Sequence, residues 1–136
     1  MFTGKTILER IDASKYKLKS ALTFKTEYIE VTVKNGLLTD GASIPRLFWT
    51  IIGCPMTGKY VGSALIHDGL YASEAIPRKE ADKLFIKMLA DNGVGYIKRK
   101  LMYAAVRVAG GFVWKKHKAA DVEEASKYVV VKRKGA

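Results

Sequence analysis

Two short segments of this chain set polar side chains among apolar neighbours, in a pattern that could support chemistry. The first is TDGASIPRLFW, Thr39 to Trp49, and the second is ALIHDGLY, Ala64 to Tyr71. Together they contain one of the chain's two histidines, two aspartates, a serine and several aromatic residues. Burying an imidazole or a carboxylate costs several kcal/mol unless the group is paired or binds a ligand. We therefore expect these residues to form a functional site or a satisfied polar network.

The candidate catalytic residues are His67, Asp68, Asp40 and Asp82. His67 and Asp68 are adjacent on a predicted helix, where neighbouring side chains point about 100° apart. Asp40 lies in the loop segment before them, and Asp82 lies one helix later, within RKEADKLF. An imidazole beside a carboxylate can transfer protons as a general acid or base.

The same residues could hold one divalent metal ion. A histidine with two or three carboxylates suits Mg²⁺, Mn²⁺ or Zn²⁺, so His67, Asp68 and Asp82 are candidate metal ligands. The doublet resembles the His-Asp core of the metal-dependent phosphohydrolases named for it, which use an additional upstream histidine. No histidine precedes His67 here, and His117 lies in the basic run WKKHK, so we do not expect a full two-metal centre.

Four further side chains are candidates for substrate binding: Ser43, Tyr71, Tyr103 and Arg107. Tyr71 follows His67 by four residues, and Arg107 follows Tyr103 by four, so each pair shares a helical face. Arg107 could bind an anion or a carboxylate of the site.

A purely structural interpretation of these residues stays open. Asp40 could cap the turn that follows it, and His67 could be a buried imidazole bonded to Asp82 or to a tyrosine. Arg78, at the start of the next helix, could then pair with Asp68. Such a network would fix how the helices meet the sheet, and it would need no substrate.

The elements that must position these residues divide by their hydrophobic period. From Tyr16 to about Thr39, apolar residues alternate with lysines and small polar residues, which predicts strands. Asn35-Gly36 separates Ile29–Val33 from Leu37-Leu38 and predicts a hairpin, because both turn residues tolerate positive φ. We expect a small antiparallel sheet in this part of the chain.

After Asp40 the period becomes helical. Ser43, followed by Pro45, predicts a short helix that ends at about Ile52. The later predictions are helices over Gly58–Ala72, from Pro77 to a stop at Asn92-Gly93, over Tyr96–Trp114 with a bend or break at Gly110-Gly111, and over Ala119–Lys127, followed by an extra strand over Tyr128–Val131. The fold class is therefore α+β, a small N-terminal antiparallel β-sheet packed against a bundle of about four helices.

With 136 residues and no linker or repeat, the chain is expected to form a single domain over residues 1–136. The predicted organisation is β-rich over 5–40, helical over 43–117, and a basic C-terminal extension over 118–136. No apolar run reaches the roughly 18 residues of a membrane span. The start, MFTGKTILER, lacks the apolar core of a secretion signal, and the single Cys54 excludes an internal disulfide.

The net charge of +11 favours anionic partners such as nucleic acid, a membrane surface or acidic subunits of an assembly. Basic residues concentrate in IKRK, Ile97 to Lys100, and near the C-terminal end. Direct nucleic-acid binding is not favoured, because no helix-turn-helix, zinc-finger or RNA-recognition signature accompanies these residues.

Four motifs occur in order along the chain: TDGASIPRLFW, HDGLY, RKEADKLF and MYAAVRVAGG. This combination, over Leu38 to Trp114, resembles a phage and prophage family called domain of unknown function 1353. The resemblance extends to Asp40, Gly41, Ala42, Ser43, Pro45, His67, Asp68, Leu70, Tyr71, Arg78, Ala81, Asp82, Phe85, Tyr103 and Arg107. It implies a phage or prophage setting without an established activity. The N-terminal strands and the basic C-terminal end lie outside it.

Two classes of function stay open. In the first, the protein is a small phage-encoded hydrolase that cleaves a phosphoester or a cell-wall bond. Its His/Asp site would either hold a divalent ion, as in a metal-dependent hydrolase, or activate water. In the second, it is a non-catalytic virion or tail component, or an accessory protein that docks on other phage proteins or an anionic macromolecule. Either class is expected in the host cytoplasm, and a virion component would be incorporated into the particle.

Overall fold

The computed structural model describes residues 1–12, 15–39 and 61–134. These residues form two antiparallel sheets and four helices, which confirms the predicted α+β class. The strands are β1 (Phe2–Thr3), β2 (Leu8–Arg10), β3 (Tyr16–Leu18), β4 (Leu22–Lys25), β5 (Ile29–Val33), β6 (Leu38–Thr39) and β7 (Val129–Arg133). The helices are α1 (Val61–Ser73), α2 (Arg78–Asp91), α3 (Tyr96–Lys115) and α4 (Ala119–Ser126). The predicted helix from Ser43 to Ile52 lies outside the described residues.

The larger sheet has four strands in the order β1-β4-β5-β7, and the smaller has three in the order β2-β3-β6. Strands β4 and β5 form an antiparallel hairpin in which Phe24 lies opposite Val31. Alternate residues of β5 are buried, as expected for a strand with one face on the core. On the other face, the hydroxyls of Thr23 and Thr32 form a 2.8 Å hydrogen bond between the two strands.

The turn at Asn35-Gly36 does not make the predicted hairpin. Strand β5 before it belongs to the four-stranded sheet, whereas β6 after it pairs with β3 in the other sheet. Gly36 has a φ of +107°, and its amide donates to the carbonyl of Leu18 at 2.7 Å. The positive φ of Gly36 therefore forms a turn that connects the two sheets.

The C-terminal part of the chain completes the larger sheet. Strand β7 pairs with β5 along its whole length, with Val131 opposite Val31. Helix α4 packs on α1, and Val129 is buried at the start of β7. The predicted short helix and extra strand are thus both present, and they join the larger sheet and α1 through strand pairing and packing.

Helix α1 is the central element. It packs against α2, α4 and strands of both sheets, and all but two of its residues are buried. At Gly69, a β-carbon would lie 2.9 Å from Val33 Cγ1, closer than packed side chains allow, and a tight 3.3 Å from Leu37 Cδ2. Glycine at this position therefore lets the helix approach the sheet closely. Burial of α1 on nearly all sides places His67, Asp68 and Tyr71 in the interior.

The next two helices bring further polar side chains to α1. Helix α2 begins after Pro77 and ends at Asn92-Gly93, as predicted, and it packs against both α1 and α3. Helix α3 continues through Gly110 and Gly111 to Lys115, so the predicted break at this pair does not occur. Within the described residues, no helix is both long enough and apolar enough to span a bilayer.

Candidate functional site

A fully buried carboxylate, Asp82 on α2, is the centre of the polar cluster. Its Oδ1 atom lies 2.7 Å from His67 Nε2 and accepts a 2.6 Å hydrogen bond from the Tyr71 hydroxyl. His67 is also fully buried, and Tyr71 is nearly so. The sequence interpretation of His67 as a buried imidazole bonded to Asp82 is therefore confirmed.

Two arginines complete the surroundings of Asp82. Arg107 Nη1, from α3, donates to Oδ2 at 2.8 Å, and Arg78 Nη1 lies 3.5 Å from the same atom. Arg78 also donates to the backbone carbonyls of Val106 and Arg107, at 3.2 and 3.4 Å. The side chains of Arg78 and Arg107 are 23% and 29% exposed, so they connect the buried carboxylate to the surface.

Arg78 thus differs from the sequence prediction that it pairs with Asp68. It lies four residues before Asp82 on α2, so the two side chains share a face of that helix.

The electrostatics of the cluster favour an ionised Asp82 and a neutral Tyr71. Burial by itself opposes ionisation of Asp82, but hydrogen bonds from His67 and Tyr71, the His67 charge and the Arg107 hydrogen bond outweigh it. The net effect lowers the pKa of Asp82 below its ordinary value. Burial raises the pKa of Tyr71 far above its usual range, and its bond to Asp82 adds to this. Tyr71 therefore acts as a proton donor in its hydrogen bond to Asp82.

Aromatic rings and a glycine enclose the cluster. The His67 ring stacks on Phe85, with 4.4 Å between centroids, and lies at the same distance from the Tyr71 ring. Trp114 meets Tyr71 edge to face at 5.3 Å. A β-carbon at Gly110 would lie 2.5 Å from the Tyr71 hydroxyl oxygen, so only glycine leaves room for this tyrosine. The sequence pattern did not predict this role of Gly110, although a glycine within a helical pattern is a signal for it.

Asp68 takes part in a different contact. It accepts a 2.5 Å hydrogen bond from Thr39 Oγ1, and both residues are buried. Thr39 directly precedes the predicted site residue Asp40 in the sequence. Asp40 and Ser43 themselves lie outside the described residues.

The predicted substrate-binding residues are only partly brought together. Tyr71 and Arg107 both contact Asp82. Tyr103 is half-buried on α3, one turn before Arg107, and forms no hydrogen bond to the cluster in the described part of the chain.

The predicted metal ligands do not form a ligand group by themselves. Across residues 1–12, 15–39 and 61–134, no three side chains of His, Cys, Asp or Glu are arranged to hold a metal ion. His67 and Asp82 bond each other, and Asp68 bonds Thr39. A metal ion bound with the help of Asp40 stays a prediction.

Comparison with known proteins identifies the family. A family model described as "Protein of unknown function (DUF1353)" matches residues 16–106. The chain belongs to this family. The match begins at strand β3, so most of the N-terminal strands lie inside it rather than outside, and it ends one residue before Arg107.

Two curated relatives come from Sinorhizobium fredii (strain NBRC 101917 / NGR234). Uncharacterized protein y4jT is 38% identical over 78 residues, which cover 57% of this chain and 23% of the relative. Uncharacterized protein y4iH is 35% identical over 72 residues, which cover 53% of this chain and 30% of the relative. The chain thus spans less than a third of the length of either relative, and no solved structure matches it significantly.

The lowered pKa of Asp82 predicts an acid-sensitive contribution to stability. Because the folded pKa lies below the unfolded value of about 3.9, the stabilisation is present above pH 4 or so and is lost as pH falls through the folded pKa. Asp82→Asn should lower the free energy of unfolding at neutral pH by about 3 to 5 kcal/mol, since it removes the buried negative charge that pairs with the partly buried Arg78 and Arg107. In this variant, the free energy of unfolding should also fall less steeply as the pH decreases below about 4. Urea unfolding across this pH range measures both effects.

Glu80→Gln is the matched control, because it also removes a carboxylate from α2. Its ion pair with Arg133 is partly exposed, so the change should cost less than about 1 kcal/mol. Full acid sensitivity in Asp82→Asn would contradict the assignment of this effect to Asp82.

Two adjacent glycines on α3 offer a test of the contact between Tyr71 and Asp82. Gly110→Ala should displace the Tyr71 hydroxyl and destabilise the protein by about 1 to 3 kcal/mol. Gly111→Ala should stabilise it by up to about 1 kcal/mol, since the nearest heavy atom, in Arg78, lies 3.9 Å from the new methyl group. Thermal or urea unfolding compares the two variants. Equal effects would show that Tyr71 does not constrain Gly110.

Proposed function

We propose that this chain is a non-catalytic accessory domain of phage or prophage origin that docks on an anionic partner through its basic surface. In this proposal, the cluster around Asp82 holds the helices together and performs no chemistry. The domain would act in the host cytoplasm. If it is incorporated into the virion, it would act there as an assembly component.

The observation that carries the proposal is the complete satisfaction of the buried cluster. His67 and Asp82 are 0% exposed, and Asp82 receives hydrogen bonds from a tyrosine, a histidine and two arginines. Within the described residues, every buried side-chain nitrogen or oxygen has a hydrogen-bond partner. A carboxylate with both oxygens engaged is suited to fixing three helices in place, which a structural role requires.

The charge distribution supports docking. Lysines and arginines exceed aspartates and glutamates, 24 to 13, and the longest helix, α3, contains no acidic residue. Several acidic residues elsewhere are already in ion pairs, including Glu9, Glu30, Glu80 and Glu124. The excess positive charge is thus available to an anionic partner. The phage origin is supported only by the resemblance of the four motifs.

A second candidate is the hydrolase, which two observations favour. Asp82 bonds His67 Nε2 and would hold the imidazole in one orientation. Asp68 is bonded to Thr39, the residue before the predicted site residues Asp40 and Ser43. In this candidate, His67 would act as general base and activate a water molecule.

Heparin affinity chromatography tests the docking proposal with a simple polyanion. A triple Lys→Gln variant at positions 115, 116 and 118 should elute at lower salt. The slope of its log binding constant against log salt concentration should be shallower by about 1 for each lost contact. The same triple change at positions 5, 15 and 34 removes equal charge from the segments next to strands β1 to β5 and is the control. Equal losses in both variants would show that no particular surface docks.

Turnover measurements decide between the two candidates. The wild type is incubated with a chromogenic phosphodiester and with purified peptidoglycan, each with and without added Mg²⁺, Mn²⁺ or Zn²⁺. We expect no turnover and no rise in melting temperature with the ions. Turnover that falls at least about 100-fold in His67→Gln would instead establish the hydrolase.

His117→Gln is the control for this comparison, because His117 bonds Glu74 and has no hydrogen bond to Asp82. Turnover equal in the wild type and in His67→Gln would reject His67 as the base. The wild-type measurement alone is decisive if His67→Gln does not fold.

A further inference from the structure

The outward face of α3 carries a line of large apolar side chains, Ile97, Leu101, Val108 and Phe112, which we call the outer stripe. Ile97, Val108 and Phe112 are 75%, 79% and 69% exposed. Their spacing of four, seven and four residues places all four within one face of the helix. The exposed Ala104 lies on the same face, and the stripe is roughly 22 Å long at 1.5 Å per residue.

The outer stripe is not needed for the core of the domain. The opposite face of α3 supplies the buried residues Met102, Ala105, Val106 and Gly110, and α3 packs mainly against α2. Helix α3 is therefore apolar on two faces, one of which is already covered. Exposed apolar side chains that form one continuous line mark an interaction surface more often than isolated ones do.

Positive charge surrounds the outer stripe. Lys98 and Lys100 lie near its N-terminal end, and Lys115, Lys116 and Lys118 lie at its C-terminal end. No aspartate or glutamate occurs between Asp91 and Asp121. A helix with a line of apolar side chains between lysines is typical of segments that lie in the plane of an anionic membrane surface.

We propose that the outer stripe docks α3 on an anionic lipid surface. The apolar side chains enter the boundary between headgroups and acyl chains, and the lysines contact the phosphate groups. This inference rests on the proposed docking function and names its partner. It requires no membrane-spanning segment.

The charge pattern disfavours two other occupants of this face. Duplex nucleic acid would contact the lysines but would leave the four apolar side chains against phosphates, with no gain from their burial. A second copy of the chain would bury the stripe but would bring two helices without acidic residues together, so their lysines would repel. A lipid surface with negative headgroups matches both the apolar and the basic residues.

Co-sedimentation with lipid vesicles tests the proposal. The wild type should bind vesicles made of equal parts phosphatidylglycerol and phosphatidylcholine, and should bind pure phosphatidylcholine only weakly. The double change Val108→Ser with Phe112→Ser should lower the partition coefficient by at least about tenfold, because it removes two inserted side chains. The triple Lys→Gln variant at positions 115, 116 and 118 should lower it by about fivefold for each lysine.

The control is the double change Ile7→Ser with Ile11→Ser, which removes two exposed apolar residues that flank strand β2 and are 49% and 48% exposed. This variant should bind the mixed vesicles as the wild type does. Because all four substituted positions are exposed, circular dichroism should show an unchanged fold for both double variants.

Three outcomes would overturn the proposal. The first is absence of binding to the mixed vesicles while heparin is still retained, which leaves the docking function and removes its lipid partner. The second is full vesicle binding by Val108→Ser with Phe112→Ser, which shows that the stripe does not insert. The third is a dimer in sedimentation equilibrium that this variant abolishes, which assigns the stripe to self-association. A different result separates the two proposals. If this variant loses lipid binding and the wild type also shows turnover that depends on His67, the lipid-docking proposal stands and the non-catalytic assignment is rejected.

Discussion

The hydrogen bonds and ion pairs of the ionised Asp82 carboxylate hold three helices of the described structure in their relative positions. A buried carboxylate is strongly unfavourable unless donors surround it, and here the donors come from three helices. His67 and Tyr71 belong to α1, Arg78 to α2 with Asp82 itself, and Arg107 to α3. If one of these helices shifted, a charge or a hydroxyl would be left without its partner. The relative positions of the helices are therefore fixed by polar geometry as well as by apolar packing.

Close packing supports the same arrangement. Gly69 lets α1 approach Val33 and Leu37 of the sheet side, and Gly110 leaves space for the hydroxyl of Tyr71. Because a single methyl group at either position would meet an atom at less than 3 Å, these glycines set how near the elements can come. The residue types of the HDGLY segment thus follow from one buried helix that must pack closely and satisfy its polar groups.

The polar and charged groups of this domain form two regions, a buried cluster and a basic surface. The interior contains the cluster around Asp82, whose buried polar groups all have hydrogen-bond partners. The surface carries the excess positive charge and, on α3, the outer stripe. Arg78 and Arg107 connect the two regions, because each is partly exposed while it contacts the buried carboxylate. Family membership gives no activity for either region, and the segment that matches each bacterial relative is less than a third of that relative's length.

Local sequence patterns predicted the helices and several members of the cluster. Hydrophobic periods located α1 to α4, Pro77 and Asn92-Gly93 marked the limits of α2, and the bond between His67 and Asp82 was among the predicted pairings. These features depend on nearest neighbours or on one helical face, so they can be read from spacing. Which partner each polar group takes was decided by tertiary structure. Asp68 bonds Thr39, Arg78 turns to Asp82, and Asn35-Gly36 joins two sheets, because long-range packing of α1 between sheets and helices selects among contacts that local sequence leaves equivalent.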